Sequence, residues 1–390
     1  MAEGERRPLR VLYLNHVAQI SGAENSLLAL VRHLDRRRVR PVAAVPPGPL
    51  ARELRHQGVQ VTTVRELRLQ RPAGLLGGAR TALGLRWWAR AVWRAGRALN
   101  CDLVHANSLT AGIAARLAFG ESLPLVWHAR DLRMPGRAEA WLLERATRII
   151  AISACVANHL FEARPQARER TVLIYNGIEP RDFQPRRSRQ QVRLELGIPE
   201  DCPLVGTVGQ IVPWKRQELV LEVAANVIAH LPQCRFLIVG ADLFGEHVEY
   251  VRRLHALAAR LNVAGNVTFT GYRQDAASVL AALDVLVHPA DREPLGRVVL
   301  EAMSLGVPCV AADSCGPSEL VQDGVSGLLV TPGDVDGFAR EIRNLLQRPA
   351  TARRIGEAAR RRVGESFSAE RMARLTEDLY EEAMAEARLS

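Results

Sequence analysis

Lys215 is the only lysine in a chain that carries 51 arginines. A guanidinium is a planar fork, whereas an ammonium is a compact point charge on a thin stem, so a narrow anion site would retain lysine. Chance survival in a general drift from Lys to Arg also leaves a lone residue, so context has to decide. The run Gly206-Thr207-Val208-Gly209-Gln210-Ile211-Val212-Pro213-Trp214-Lys215 reads as a strand, a loop and the start of a helix. A lysine opening a helix faces the positive end of the helix dipole unless an anion intervenes, which points to phosphate. The run is not G-x-G-x-x-G, and no acid closes a following strand as a ribose clamp.

Two further segments join a strand to a helix. In Glu293-Pro294-Leu295-Gly296-Arg297-Val298-Val299-Leu300-Glu301, Glu293 lies in a loop and Gly296 opens a helix. Glu293 and the free N–H groups near Gly296 are placed to hold sugar hydroxyls, and Glu301 is an acceptor-only group suited to a vicinal ribose diol. Two solvated glutamates near a helix start would read the same way, since acids are common there. In Ser21-Gly22-Ala23-Glu24 small residues let backbone N–H groups approach an anion, and an ordinary Ser21 cap with a turn at Gly22 is the plain alternative. His128 follows an apolar strand, where a hydrogen-bonded, half-buried histidine is commonplace.

These segments need a scaffold that brings strand ends together. Short runs of Val, Leu and Ile alternate with helical stretches. Strands are expected at 10–16, 39–45, 59–64, 103–106, 125–128, 148–152 and 172–175, then at 204–208, 235–239, 267–270, 285–288, 308–311 and 327–330. Helices are expected between them, including 215–230 and 296–305, and the last 60 or so residues read as helical. PRDFQPRRSRQ (180–190) has two prolines and a run of charge and reads as a linker. The pattern implies an α/β protein with two doubly wound parallel sheets, domains at 1–183 and 184–365, and a terminal helix at 366–390. Ligands in such sheets bind beyond the carboxyl ends of the strands, where every segment above lies.

With 390 residues the chain exceeds one core of ordinary size, which levels off near ~250–300 residues. No apolar run approaches the ~18 residues of a membrane span, and the start MAEGERRPLR lacks a cleavage pattern, so a cytoplasmic location is expected. Six cysteines form no C-x-x-C pair and are expected to be free thiols, with no zinc site. The net charge of +10 is uneven, with 31 Arg against 15 acids in residues 1–190. That first half is expected to face something anionic. On 80–97 (RTALGLRWWARAVWRAGR), Arg86, Arg90 and Arg94 recur every four residues among Trp87, Trp88 and Trp93. An anionic membrane interface and a helix packed on its sheet with a solvated Arg face both account for that pattern. Asp334-Val335-Asp336 has a metal-binding D-x-D form, but after Pro332-Gly333 it reads as a helix cap.

Taken together, the segments resemble the retaining glycosyltransferase family 4 of the GT-B superfamily, over nearly the whole chain. The E-x7-E element from Glu293 to Glu301 runs on into 301–334, VLIYNGIEPRDFQP (172–185) is similar to that family's linker side, and WHARD (127–131) to its His-bearing acceptor loop. The resemblance implies two Rossmann-like domains facing across a cleft, with the terminal helix crossing back. It implies a UDP- or GDP-sugar donor, same-face transfer and no metal or other cofactor. Lys215 would neutralise the diphosphate, and Gly22 would approach phosphate or acceptor. His128 would lie near the transferred sugar, with Glu293, Leu295 and Gly296 around it. Glu301 would take the ribose, and Tyr272 and Arg273 would sit by the base. Gln210 stands where the family often has Arg, which Arg297 or Arg130 would compensate. Asn107 stands in place of a frequent histidine and is assigned no role.

The implied acceptor is a sugar, a lipid-linked glycan precursor or a small molecule of secondary metabolism, with peripheral contact to an anionic membrane and no nucleic acid. A GT-B binding subunit without activity, a dinucleotide oxidoreductase and a pyridoxal phosphorylase are the rival readings. The missing Gly fingerprint disfavours the second, and the single lysine, already taken by phosphate, the third.

Overall fold

The computed structural model describes residues 7–67, 74–132, 136–181, 183–243 and 245–389. It divides into two units, Met1–Gly177 with Ala369–Ser390, and Ile178–Ser368. The first unit runs β1 (Leu9–Leu14), α1 (Gly22–His33), β2 (Val39–Val45), α2 (Pro49–His56), β3 (Gln60–Thr63), α3 (Gly74–Leu99) and β4 (Leu103–Ala106). It continues through α4 (Leu109–Phe119), β5 (Leu125–Ala129), α5 (Arg137–Arg145), β6 (Arg148–Ala151), α6 (Ala154–Ala163) and β7 (Thr171–Leu173). The second holds α7 (Arg189–Glu195), β8 (Leu204–Val208), α8 (Gln217–His230), β9 (Arg235–Val239), α9 (Val248–Arg260), β10 (Val267–Gly271) and α10 (Ala276–Ala282). After these come β11 (Val285–His288), α11 (Arg297–Ser304), β12 (Cys309–Ala312), α12 (Cys315–Leu320), β13 (Leu328–Val330), α13 (Val335–Gln347) and α14 (Pro349–Ser366). The last helix, α15 (Ala369–Leu389), belongs to the first unit.

Both sheets are parallel. Their strand orders are β3-β2-β1-β4-β5-β6-β7 and β10-β9-β8-β11-β12-β13. Val11, Leu12, Tyr13 and Leu14 of β1 are buried on both faces, as are Val285, Leu286 and Val287 of β11. Such strands need helices on each side, and the alternating sequence supplies them. Serines start several of those helices, as the residues before them suggest: Ser108 accepts from Ala111 N (3.2 Å) and Ser153 from Val156 N (3.1 Å). Asp334 Oδ1 accepts from Gly337 N (2.9 Å), so the D-x-D run is a helix cap as expected. Helix α15 contributes Met372, Ala373, Leu379, Tyr380 and Ala383 to the core around Leu27, Leu30 and Val31 of α1.

Each sheet reverses its strand order once, between β1 and β4 in the first unit and between β8 and β11 in the second. At these points the loops leaving the carboxyl ends diverge and open a crevice. Three expectations change. Lys215 does not open an α-helix: Pro213–Lys215 is a 3-10 turn, and α8 starts after Arg216, whose φ of 58° turns the chain left-handed. A proline at the first position fits the φ of that turn, and the break leaves Lys215 outside α8. The stretch read as linker carries the start of α7, capped by Ser188 and Gln191. Cys101, Cys202, Cys234 and Cys309 are free thiols, but that reading does not extend to Cys155 and Cys315, because an oxidised cysteine needs no characteristic spacing along the chain. No helix among the described residues is long and apolar enough to cross a membrane.

Candidate active site

In the second unit the reversal point brings Lys215 and Glu293 together. Lys215 follows β8 and Glu293 follows β11, and Nζ donates to Glu293 Oε2. Their side chains are 16% and 10% exposed. Lys215 Nζ also lies 4.3 Å from the centre of the Trp214 ring. His288, the last residue of β11, is buried with Nε2 3.3 Å from the same carboxylate oxygen. Burial works to raise the Glu293 carboxyl, yet the Lys215 charge and His288 hold it down to about 2. Burial lowers His288 below its usual value, against the pull of Glu293. A second bridge, Arg216 Nη1 to Asp291 Oδ2 (3.4 Å), ties the same two loops.

The loop of Glu293 is built to hold its backbone still. Gly296 adopts φ 91° at the N-cap of α11, and no side chain caps that helix. Only glycine takes that turn cheaply, and the first N–H groups of α11 are left without intrahelical acceptors. Glu293 O accepts from Gly316 N (3.0 Å), and a Cβ on Gly316 would lie 2.2 Å from Leu295 Cα. Leu295 is itself buried, so its side chain is core and its backbone is what it presents. Glu301, half-buried on the same side of α11 as Arg297, accepts from Arg297 Nε (2.8 Å). Burial raises its carboxyl, and Arg297 works against that.

The remaining residues expected here are placed as follows. Gln210 is half-buried, and its carbonyl oxygen accepts from Gln217 Nε2 (2.8 Å). Gly240 follows β9 with φ 141°, and any Cβ there would strike Gly209 O, so the loops after β8 and β9 pack backbone to backbone. Tyr272 is exposed just past β10. Arg273 is committed to Glu195 (2.6 and 3.3 Å) and Asp275 (2.8 Å at both oxygens), which braces α7. Arg297 is likewise engaged by Glu301, so it is not a free replacement for the cation that Gln210 lacks.

The first unit has a different cluster at its own reversal point. Gly22 is the exposed first residue of α1. Ser21 donates from N and Oγ to Glu24 Oε2 (3.0 and 2.5 Å), and Asn15 Nδ2 donates to Glu24 Oε1 (3.1 Å). Asn107 Nδ2 donates to Asn15 Oδ1 (3.0 Å). Arg130 is the hub: Nε donates to Asn107 Oδ1 (3.0 Å), Nη1 to Asn176 Oδ1 (2.9 Å) and Nη2 to His128 Nδ1 (3.0 Å). His128 is fully buried rather than half-buried. Beyond it, His105 Nε2 is 3.2 Å from His128 Nδ1, Tyr380 OH 2.7 Å from His105 Nδ1, and Tyr13 OH 2.9 Å from Tyr380 OH.

Donor and acceptor chemistry assigns the protons. An arginine only donates, so His128 Nδ1 is an acceptor and a neutral ring carries its hydrogen on Nε2. His105 Nε2 is then the second donor to that nitrogen. Its Nδ1 accepts from Tyr380, whose oxygen accepts from Tyr13. Burial, then the Arg130 charge, lowers His105 to about 3, and burial with the same charge and His105 lowers His128 well below its usual value. Both rings are neutral at pH 7. His128 Nε2 has no hydrogen-bond partner among the described residues, so its N–H is a buried donor awaiting an acceptor.

Sequence reasoning missed Asn15, His105, Asn107, Asn176, His288 and Tyr380. The signal for His105 and His288 was available, because each is a polar residue inside an apolar strand run (LVHA, VLVH). Nothing local marks Tyr380, 275 positions from His105.

The chain matches two family models. "Glycosyltransferase Family 4" covers residues 20–182 and "Glycosyl transferases group 1" covers 188–362. It is similar to the D-inositol 3-phosphate glycosyltransferase of Streptomyces bingchenggensis, 31% identical across 75% of this chain and 69% of that one. Its counterpart in Streptomyces avermitilis is 28% identical across 96% of this chain and 82% of that protein. Among solved structures, Anabaena HepE in complex with UDP-glucose superposes with a TM-score of 0.81, at 26% identity, over 96% of this chain and all of that one.

Proposed function

This chain belongs to glycosyltransferase family 4, within the GT-B superfamily, and from that premise we propose that it is a retaining enzyme using a nucleoside-diphosphate sugar. The observation that carries the reading is the pairing of the only lysine with the buried Glu293 where β8 and β11 diverge. An ammonium there already has one anionic partner, and a diphosphate can take that place while keeping the ammonium paired. Glu293, released from Lys215, is then an acceptor for sugar hydroxyls.

As the glycosidic bond breaks, negative charge grows on the diphosphate. Lys215 and the N–H groups opening α11 stabilise it more in the transition state than in the bound donor, which is what accelerates the step. His128 is a donor and not a base, because its free nitrogen carries the hydrogen. It offers that N–H to a hydroxyl of the sugar, and the lost hydrogen bond of a buried donor, about 1–3 kcal/mol, is recovered on binding. Glu301 accepts from the ribose diol, Leu295 and Gly296 offer backbone, and Gly22 offers its N–H to phosphate or acceptor. The Tyr272 ring stacks near the base, while Arg273 holds the surrounding loop. Among the described residues no side chain is placed as a general base, and in this family reading the departing phosphate oxygen takes the acceptor proton, with attack from the same face. Neither a metal nor another cofactor is called on.

The donor is a UDP-sugar in this reading, by similarity to HepE, with a GDP-sugar next. The acceptor is a sugar, lipid-linked precursor or small molecule, and the work is done in the cytoplasm, in cell-surface glycan or glycolipid assembly. A panel of UDP-, GDP- and ADP-sugars scored by melting temperature tests it, because a ligand specific to the folded state stabilises it. A rise with one UDP-sugar, unaffected by EDTA, is expected. No shift with any donor overturns the donor assignment, and inverted anomeric configuration in the product overturns retention.

A further inference from the structure

The helix α3 separates its three tryptophans. Trp88 is 4% exposed, and its Nε1 donates to Arg65 O (2.7 Å), so it anchors the helix with Val92, Ala95 and Leu99. Trp87 and Trp93 are 64% and 45% exposed, and Leu83 is 59% exposed. At 100° per residue, Leu83, Arg86, Trp87, Arg90, Trp93, Arg94 and Arg97 share an arc of roughly 120°, opposite the buried stripe. All four of these arginines are exposed. Arg90 lies 5.8 Å from the Trp87 ring centre and Arg97 5.4 Å from that of Trp93. No acid occurs between Glu66 and Asp102, so the face has no counter-charge of its own in sequence.

We propose that this face of α3 docks the protein on an anionic lipid bilayer. Indole rings partition to the boundary of headgroup and acyl chain, and arginines beside them meet lipid phosphates. A nucleic acid would neutralise the arginines but give Leu83 and the indole rings at the two edges of the arc no apolar medium, so the lipid surface is the occupant that satisfies both halves. The inference rests on the first unit alone and is independent of the donor chemistry.

Vesicle co-sedimentation of the full chain tests it. Binding to vesicles of phosphatidylcholine with phosphatidylglycerol is expected to exceed binding to phosphatidylcholine alone by about tenfold at about 0.1 M salt, and to fall as salt rises. Arg86→Glu with Arg90→Glu and Arg94→Glu removes it, and Trp87→Ala with Trp93→Ala weakens it by about tenfold. Melting temperature and donor turnover in solution stay unchanged in both variants. Should either variant fail to fold, Trp87→Phe with Trp93→Phe serves: brominated lipid quenches the intact protein and loses that quenching in this variant. Equal binding to both vesicle types, unchanged binding by the charge-reversed protein, quenching retained without the two indoles, or equally tight binding to a DNA duplex each overturns the proposal.

Discussion

The two reversal points of this molecule share a topology and differ in electrostatics. After β8 and β11, an ammonium and a carboxylate meet in a partly open pair, with a neutral ring behind the carboxylate. Around β1 and β4, one buried guanidinium donates to three neutral acceptors. An ammonium can exchange one anion for another and stay paired, while sugar hydroxyls donate to the carboxylate it leaves. The buried network cannot change partners without orphaning a polar group, at about 1–3 kcal/mol each. One point is built to rebind, the other to hold a proton in one place.

The largest effect should come from the exchangeable pair. Lys215→Met is expected to lower turnover about 10²- to 10³-fold, the scale of one lost transition-state donor. The single change also strands the Glu293 charge, so melting temperature falls with it. Adding Glu293→Gln should restore the melting temperature and leave turnover low. A single variant with undiminished turnover would remove Lys215 from the chemistry.

The network should answer in stability instead. Arg130→Met takes a charged donor from Asn107, Asn176 and His128 at once, with Ser26 and His105 still reaching the last two, and should cost about 3–5 kcal/mol in urea unfolding. A loss below about 1 kcal/mol would mean that the side chains repack, and that the contrast between the two points is weaker than drawn.

Acid should loosen the first unit before it reaches the ion pair of the second. The folded His105 is lowered to about 3 by burial first and the Arg130 charge second, whereas an unfolded imidazole titrates near 6.5. Between those values the unfolded chain binds the extra proton. Stability is therefore full above about 6.5 and drains as pH falls, by about 2 kcal/mol at pH 5 from this residue. His128 acts in the same direction, and in the second unit His288 does so alone. Glu293, depressed to about 2, gives stability that persists above its ordinary 4.5 and is lost only below it. Hydrogen exchange at pH 7 and pH 5 should show β4 and β5 losing more protection than β8 and β11, and the opposite order would contradict the assignment.

The smallest change is Tyr380→Phe. It removes the donor to His105 and the acceptor of Tyr13, which, with one of the two readjusting, should cost about 1–3 kcal/mol. His105 is then free to invert its tautomer and stop donating to His128. Turnover should drop a few-fold with little change in donor KM, and nitrogen NMR should show His105 sampling both tautomers while Arg130 holds His128 in one. A single unchanged tautomer would reduce Tyr380 to a packing role.

Much of this was legible along the chain because parallel strands are buried on both faces and therefore read as plain apolar runs. The runs at 39–45, 103–106, 204–208, 235–239 and 285–288 coincide with strands to the residue. Glu293 in a loop and Gly296 at a helix start also followed, since a glycine between an apolar strand and a helical period has few other uses. The 3-10 turn at Lys215 did not follow, because helical periodicity does not register a break of one turn. The engagement of Arg273 by Glu195 was hidden too, as it joins groups 78 positions apart.

The chain by itself determined the order of its elements, the ends of strands where chemistry gathers and the identity of its one ammonium, because these depend on periodicity and residue type over short spans. Tertiary structure decided which polar groups meet: that Lys215 rests on Glu293, that Asn107 links Asn15 to Arg130, and that Arg130 and a tyrosine on the last helix fix the protons of two histidines. The reason is that hydrogen bonds and ion pairs act over a few ångströms, and only folding makes distant residues neighbours at that range.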